Sequence, residues 1–183
     1  MNPVKKLLTY RYAEIIHDLT IQFVKKYIDY KSRTKDQMEQ AARSGKQNIV
    51  EGISGSQTSK SGEIKLLGVA KASFEELLMD YEDFLRQNNH EIYPKTDSRI
   101  TKFRQKAFKL SNLVNLSPLG NLVEKPQLPG NPQDDSNFLL TLCHQVTYLL
   151  DRQIKAALER FERKGGLNEK LYSARVKYLK SLK

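Results

Sequence analysis

Gln37-Met-Glu-Gln-Ala-Ala-Arg-Ser-Gly-Lys-Gln-Asn-Ile-Val-Glu-Gly52 is the stretch whose reading decides the fold class. Met38, Ala41, Ala42, Gly45, Ile49 and Gly52 recur at steps of three and four, so they share one face of a helix. That face is built almost wholly of small residues. Neighbouring backbones can therefore approach closely, and larger side chains from those neighbours must fill the space. Each interior glycine costs a helix about 1 kcal/mol relative to alanine, which close packing or a bound partner has to offset. The packing reading makes this a core helix. A sharper reading adds Ser44, Lys46, Gln47, Asn48 and Glu51 as a polar surface that meets a partner.

Working outward, the preceding segment 7–30 carries a helical stripe of Leu8, Tyr12, Ile15, Ile16, Leu19, Phe23 and Tyr27, with Arg11, Lys25 and Lys26 off it. The link Lys31-Ser32-Arg33-Thr34 is short enough to join antiparallel helices, and Thr34 with Gln37 has capping-box spacing for a helix over 34–53. Residues 53–62 are rich in Gly and Ser and read as a turn. They lack the Gly-Lys-Ser/Thr of a phosphate loop and any preceding strand. A third helix is expected over 61–88, with Ile64, Leu67, Phe74, Leu77, Leu78, Tyr81 and Leu85 inward. Prolines 94, 118, 126, 129 and 132 punctuate an insertion of about 89–135. Within it, 98–116 reads as a basic helix packed on the bundle's end. A fourth long helix, 136–164, is expected with Ser136 as cap and Gly165-Gly166 as stop. A short helix capped by Asn168 follows, with Leu171, Ala174, Tyr178 and Leu182 on its apolar side. The fold expected is all-α: an antiparallel up-down four-helix bundle over 1–164 with an inserted short helix, and a C-terminal helical suffix over 165–183.

The chain has 183 residues, 31 Lys+Arg against 21 Asp+Glu, and a net charge of +10. The excess is uneven: residues 1–60 carry eleven basic against six acidic side chains and 141–183 ten against four, whereas 61–100 carry five against eight. Basic ends of this kind favour polyanions through phosphate neutralisation and counterion release. The bland alternative is that the charge only confers solubility. No apolar run is long enough to span a bilayer, and the N-terminus lacks the apolar core of a signal peptide. A single cysteine, Cys143, on an apolar helix side reads as a buried small hydrophobe and suits a cytoplasmic setting.

Catalytic chemistry has little to stand on. His17, His90 and His144 fall in separate elements, and no hydrolase elbow, zinc spacing or dinucleotide fingerprint occurs. Glu75, Glu76, Asp80, Glu82 and Asp83 crowd the third helix, but none is followed by a histidine three residues later, as a di-metal bundle would require. The expectation is a non-enzymatic protein with no metal and no cofactor. Those acids read as a solvated face or as an oligomer contact with basic helices.

The run Asn48-Ile49-Val50-Glu51-Gly52, with Ala41, Ala42 and Ser44 before it, resembles the signature of the bacterial four-helix-bundle proteins first described in intervening sequences of 23S ribosomal RNA genes. Ala70-Lys71-Ala72-Ser73-Phe74-Glu75-Glu76-Leu77 is similar to a run in their third helix, where Ser73, Glu76 and Leu77 match. Leu149-Leu150-Asp151-Arg152-Gln153, Phe161, Gly165-Gly166 and Leu171-Tyr172 resemble the subgroup with a C-terminal suffix. The likeness spans most of the chain outside about 89–135 and departs from the family pattern at Val50 and Gly45. It implies a bundle that assembles as a homo-oligomeric ring, usually a pentamer. It also implies similarity in fold to the accessory protein of diversity-generating retroelements, which binds a reverse transcriptase and nucleic acid. Two functions remain open. One is an oligomeric RNA- or DNA-binding accessory protein, possible partner of a reverse transcriptase, using Lys25, Lys26, Lys31, Arg33, Arg43 and Lys46 on the bundle. Arg160, Arg163, Lys164, Lys170, Arg175 and Lys177 would serve at the suffix. The other is a protein-interaction scaffold whose basic face meets a neighbour's acidic third helix. Tyr172 and Tyr178 can stack on bases, but their helical spacing favours the core.

Overall fold

A computed structural model describes residues 2–181. All the regular structure among them is helical: α1 (Leu8–Tyr27), α2 (Arg33–Ser54), α3 (Lys60–Gln87), α4 (Ser98–Ser111), α5 (Pro132–Lys164) and α6 (Leu167–Ser181), with short 3-10 turns between. Of the apolar stripe expected on the suffix, Leu182 lies outside the described residues, as does the side chain of Lys164.

Side-chain pairs fix the arrangement. Thr9 Oγ1 meets Gln153 Oε1 at 2.8 Å while Lys26 Nζ meets Asp135 Oδ2 at 3.2 Å, so α1 and α5 run in opposite directions. Lys71 with Asp151 at 2.8 Å and Glu63 with Arg160 at 2.9 Å show the same for α3 and α5. α1 and α2 are joined by a short link from Tyr27 to Arg33, and His17 beside Lys46 further back along both helices gives them the same opposed sense. One core runs through α1, α2, α3, α4 and α5, with Phe23, Phe74, Tyr81, Phe138, Leu67 and Leu77 fully buried. Each such aliphatic or aromatic side chain contributes about 1.5–3 kcal/mol on burial. Tyr81 keeps its polar end satisfied there, its Oη 2.8 Å from Thr20 Oγ1.

The buried residues of α2 are the six read from the sequence, Met38, Ala41, Ala42, Gly45, Ile49 and Gly52. Their smallness has a specific use. A Cβ at Gly45 would sit 2.6 Å from Cζ of the buried Phe74 ring, and one at Gly52 would sit 3.2 Å from Leu66 Cβ and 3.3 Å from the Glu63 carbonyl. The two glycines let α3 lie against α2, and Phe74 fills the space that a side chain at Gly45 would take.

Helix ends depart from the sequence expectation. Ser32, not Thr34, caps α2, its hydroxyl accepting the Thr34 N–H at 3.2 Å. α1 stops at Tyr27 because Ile28 is already extended. Past the end of α3, Asn89 takes φ 56 and the His90 N–H returns to the Leu85 carbonyl, closing a Schellman-type turn. α5 begins four residues before Ser136, with Pro132 at its first position and Asn131 accepting the Asp134 N–H at 2.8 Å. Proline suits that position because it has no N–H to leave unpaired. The buried Ser136 hydroxyl instead donates to the Pro132 carbonyl. Ahead of α6 the Glu169 carboxylate, rather than Asn168, accepts the Gly166 N–H.

The insertion also corrects the expectation. Its helix ends at Ser111, not Leu116, and α4 does not sit on an end of the long helices. Phe103 packs on Phe138 in the first turns of α5, at 5.3 Å between ring centroids, and the Ser111 carbonyl accepts from Arg11 Nε, near the start of α1, at 2.6 Å. Those positions lie at opposite ends of the α1–α5 pair, so α4 runs along its side. Arg11, off the apolar stripe in sequence, is consequently buried and also donates to the Lys6 carbonyl. Burial lowers its guanidinium pKa. Cys143 is buried, and desolvation pushes its thiol well above the usual range.

Candidate nucleic-acid interface

The residues that carry the family likeness separate into two layers. Ala42, Ile49, Gly52 and Leu77 are core. Ala41, Ser44, Ser73 and Glu76 line an open groove of about 780 Å³ between α2 and α3, together with Arg33, Asp36, Gln37, Gln40 and Asp80. Asn48 donates from Nδ2 to the Ser44 carbonyl and hydroxyl, and the Ser73 hydroxyl donates to Ser44 at 3.2 Å. Small hydroxyl side chains thus tie two closely spaced helices where larger polar groups would not fit. Glu51 is exposed outside this network. Half-burial, reinforced by Glu76 and Asp83, raises the Asp80 carboxyl to about 6. The groove is acidic, so it is a poor seat for phosphate.

The basic residues nominated from sequence fall into separate sets. Lys25, Lys26, Lys31 and Arg33 gather where α1 ends and α2 begins. Arg160 and Arg163 stand at the far end of α5, with Lys170, Arg175 and Lys177 on α6. From Asp135 to Arg160 is about 37 Å along the helix at 1.5 Å per residue, so the sets do not form one patch. Several cations are already engaged. Lys26 reaches Asp135, whose carboxylate is fully buried and also accepts from Tyr27 Oη at 2.7 Å and the Gly130 N–H at 2.6 Å. Arg160 reaches Glu63, only 3% exposed, and Lys46 lies 3.1 Å from His17 Nδ1. Lys25, Lys31, Arg33, Arg43, Arg163, Lys170, Arg175 and Lys177 are exposed and make no ion pair among the described residues.

The sequence reading missed the side-chain exposure of α6. No residue of this helix is buried. Its first turn shares a small pocket with residues 58–61 and Phe161, and beyond that Tyr172 is 73% and Tyr178 56% exposed. Tyr172, Arg175 and Tyr178 form a row at three-residue steps, with the Arg175 guanidinium 5.8 Å from the Tyr178 ring centroid. The expectation that these tyrosines belong to the core is therefore wrong. Helical spacing marks a common face, but a helix that extends past its neighbours has nothing to bury that face against. A similar combination stands on α4, where Phe108 is 67% exposed beside Arg104 and Lys109.

Glu14 and His17 stand three apart on α1, at metal-ligand spacing, but His17 Nδ1 lies 3.1 Å from the Lys46 amine. Among the described residues no group of three His, Cys, Asp or Glu side chains is placed to hold a metal ion. No helix among them is long and apolar enough to cross a membrane. No family model, curated protein or solved structure matches the chain.

Proposed function

We propose that this chain is a non-enzymatic, cytoplasmic nucleic-acid-binding accessory protein whose contact surface is α6 with the adjoining end of α5. The observation that carries it is the row Tyr172–Arg175–Tyr178 standing in solvent among Lys170, Lys177 and Lys180. Cations neutralise phosphates and exposed aromatic faces stack on unpaired bases, so single-stranded RNA or DNA is the favoured target. Few side chains there read base edges, which makes binding tolerant of sequence. The architecture we assign is an up-down four-helix bundle of α1, α2, α3 and α5, with α4 laid along it and α6 as suffix. The opposed pairs across α1–α5 and α3–α5 support that assignment. Likeness to the intervening-sequence family, assembly into a ring and partnership with a reverse transcriptase belong to the same proposal and rest on the resemblance in residues 41–52 and 70–77.

Mobility shifts with single-stranded RNA, single-stranded DNA and duplex over a salt series test it. The variant matters. Neutralising Arg160 would leave the buried Glu63 with only Lys60, at 3.8 Å, and confuse folding with binding, so the substitutions are Arg163→Gln, Lys170→Gln, Arg175→Gln and Lys177→Gln. Together they should weaken single-strand binding and lower the salt slope by up to about 3, at about 0.7 for each phosphate no longer neutralised. Unchanged binding by the quadruple variant rejects α6 as the interface. Failure of the parent to bind any of the three probes rejects the function and leaves the scaffold reading. Light scattering that finds only the 21.1 kDa monomer rejects the ring.

A further inference from the structure

Away from α6, a second cavity of about 580 Å³ lies between α5, the start of α4 and the segment 92–95. Its wall is pinned by a buried asparagine. Asn137, 1% exposed, accepts the Tyr93 N–H at 2.8 Å through Oδ1 and donates through Nδ2 to the Glu91 carbonyl at 2.9 Å. Tyr93 Oη donates to Asp134 at 2.6 Å, and the Arg99 guanidinium stacks 3.5 Å from the Tyr93 ring centroid. A segment of irregular chain held at three points keeps the cavity open without a ligand, which lowers the ordering cost of filling it.

The lining divides by chemistry. Ile92, Tyr93, Ile100, Leu140 and Tyr148 supply apolar and aromatic surface. Lys95, Arg104 and His144 bring basic groups, against one acid, Glu82. Neither Lys95 nor Arg104 makes an ion pair among the described residues, so both positive charges are available to an occupant. Gln145 also lines the cavity, and its buried Oε1 has no hydrogen-bond partner.

We infer that this cavity binds a small flat organic anion: an aromatic ring seated on the apolar wall, whose negative group is held by Lys95 and Arg104. Mononucleotides and indole carboxylates share that chemistry. Calorimetric titration with AMP, GMP, UMP and indole-3-acetate, with adenosine and ribose 5-phosphate as ligands lacking the charge or the ring, tests the inference. At least one charged ring compound should bind tenfold or more tightly than both controls. Saturation by nucleotides alone, or by indole-3-acetate alone, supports the site and names the source. Lys95→Gln with Arg104→Gln should weaken that binding tenfold or more, whereas Arg175→Gln with Lys177→Gln should leave it unchanged. Both cations are exposed, so the pair can be lost without unfolding the core, and circular dichroism checks this. The inference is overturned if no charged ring compound outbinds the controls, or if the Lys95/Arg104 variant binds as the parent does. Neither result depends on nucleic-acid binding at α6.

Discussion

On α2 six small and apolar residues at helical spacing are all buried, whereas on α6 Leu171, Tyr172, Tyr178 and Leu179 share helical faces and none is buried. Both helices are amphipathic in pattern. They differ in what surrounds them: α2 lies between α1 and α3, and Phe74 enters the space above Gly45, while α6 continues past Gly165 at φ 60 with none of its residues buried. A helical pattern states which residues would be buried together. Burial itself requires a second surface within reach, and sequence spacing does not supply that.

The largest effect expected from breaking this contrast is on the α2 side. Gly45→Val should destabilise the protein by about 3 kcal/mol in urea unfolding, because the branched side chain must enter the volume held by the Phe74 ring. Gly45→Ala combined with Phe74→Leu should recover part of the cost of Gly45→Ala alone. A coupling below about 0.5 kcal/mol in the double-mutant cycle would show that the ring does not set the requirement for glycine.

Next in size is Arg11→Leu, about 2 kcal/mol, since it leaves the Ser111 and Lys6 carbonyls without their donor. The same substitution should loosen α4 ahead of the rest, read as faster amide exchange over 98–111 than over α2.

Asp80 gives a smaller effect with a definite pH sign. Its folded pKa of about 6 lies above the unfolded value near 3.9, so the folded state holds the proton more tightly. Stability from this group is therefore lost as pH rises from about 4 to 6, the reverse of a salt-bridged carboxylate. Asp80→Asn should gain about 1 kcal/mol at pH 7 after solvent screening and nothing at pH 3.5. A variant that gains equally at both pH values would rule out the raised carboxyl as the cause.

The smallest stability effect is expected on α6. Tyr172→Ser with Tyr178→Ser should change unfolding free energy by less than about 0.5 kcal/mol while reducing single-strand binding. If the pair instead lowers stability as a core substitution would, α6 is covered in solution, and a second copy of the chain becomes the first candidate for the cover.

Within the long helices most of the fold was legible. The α2 face, the α1 stripe from Tyr12 to Phe23 and the buried Cys143 follow from spacing because their partners come from equally periodic neighbours, whereas Leu8 on the same stripe stays 39% exposed. What the sequence did not reveal depends on distant pairs. Asp135 lies 109 residues from Lys26, and Glu63 lies 97 from Arg160, so two cations nominated for phosphate turned out to neutralise buried acids. Local chemistry was misread in a different way. Ser32 competes with Thr34, and Asn131-Pro132 with Ser136, among residues that all suit a helix start, and which one caps is decided by where the chain turns. The position of α4 beside α1 required the burial of Arg11, a residue whose charge argues for the surface.

Cys143 gives the molecule a practical property. It is the only cysteine, its thiol is buried, and burial keeps it protonated, so a maleimide should find no thiolate on the folded protein. A cysteine introduced on α6, at Ser173 for example, would then be the sole reactive handle without first removing the natural one. A dye placed there would report the arrival of a single strand by its anisotropy. In rising urea the modification of Cys143 itself would keep time for the opening of the core, one covalent mark for each molecule that unfolds.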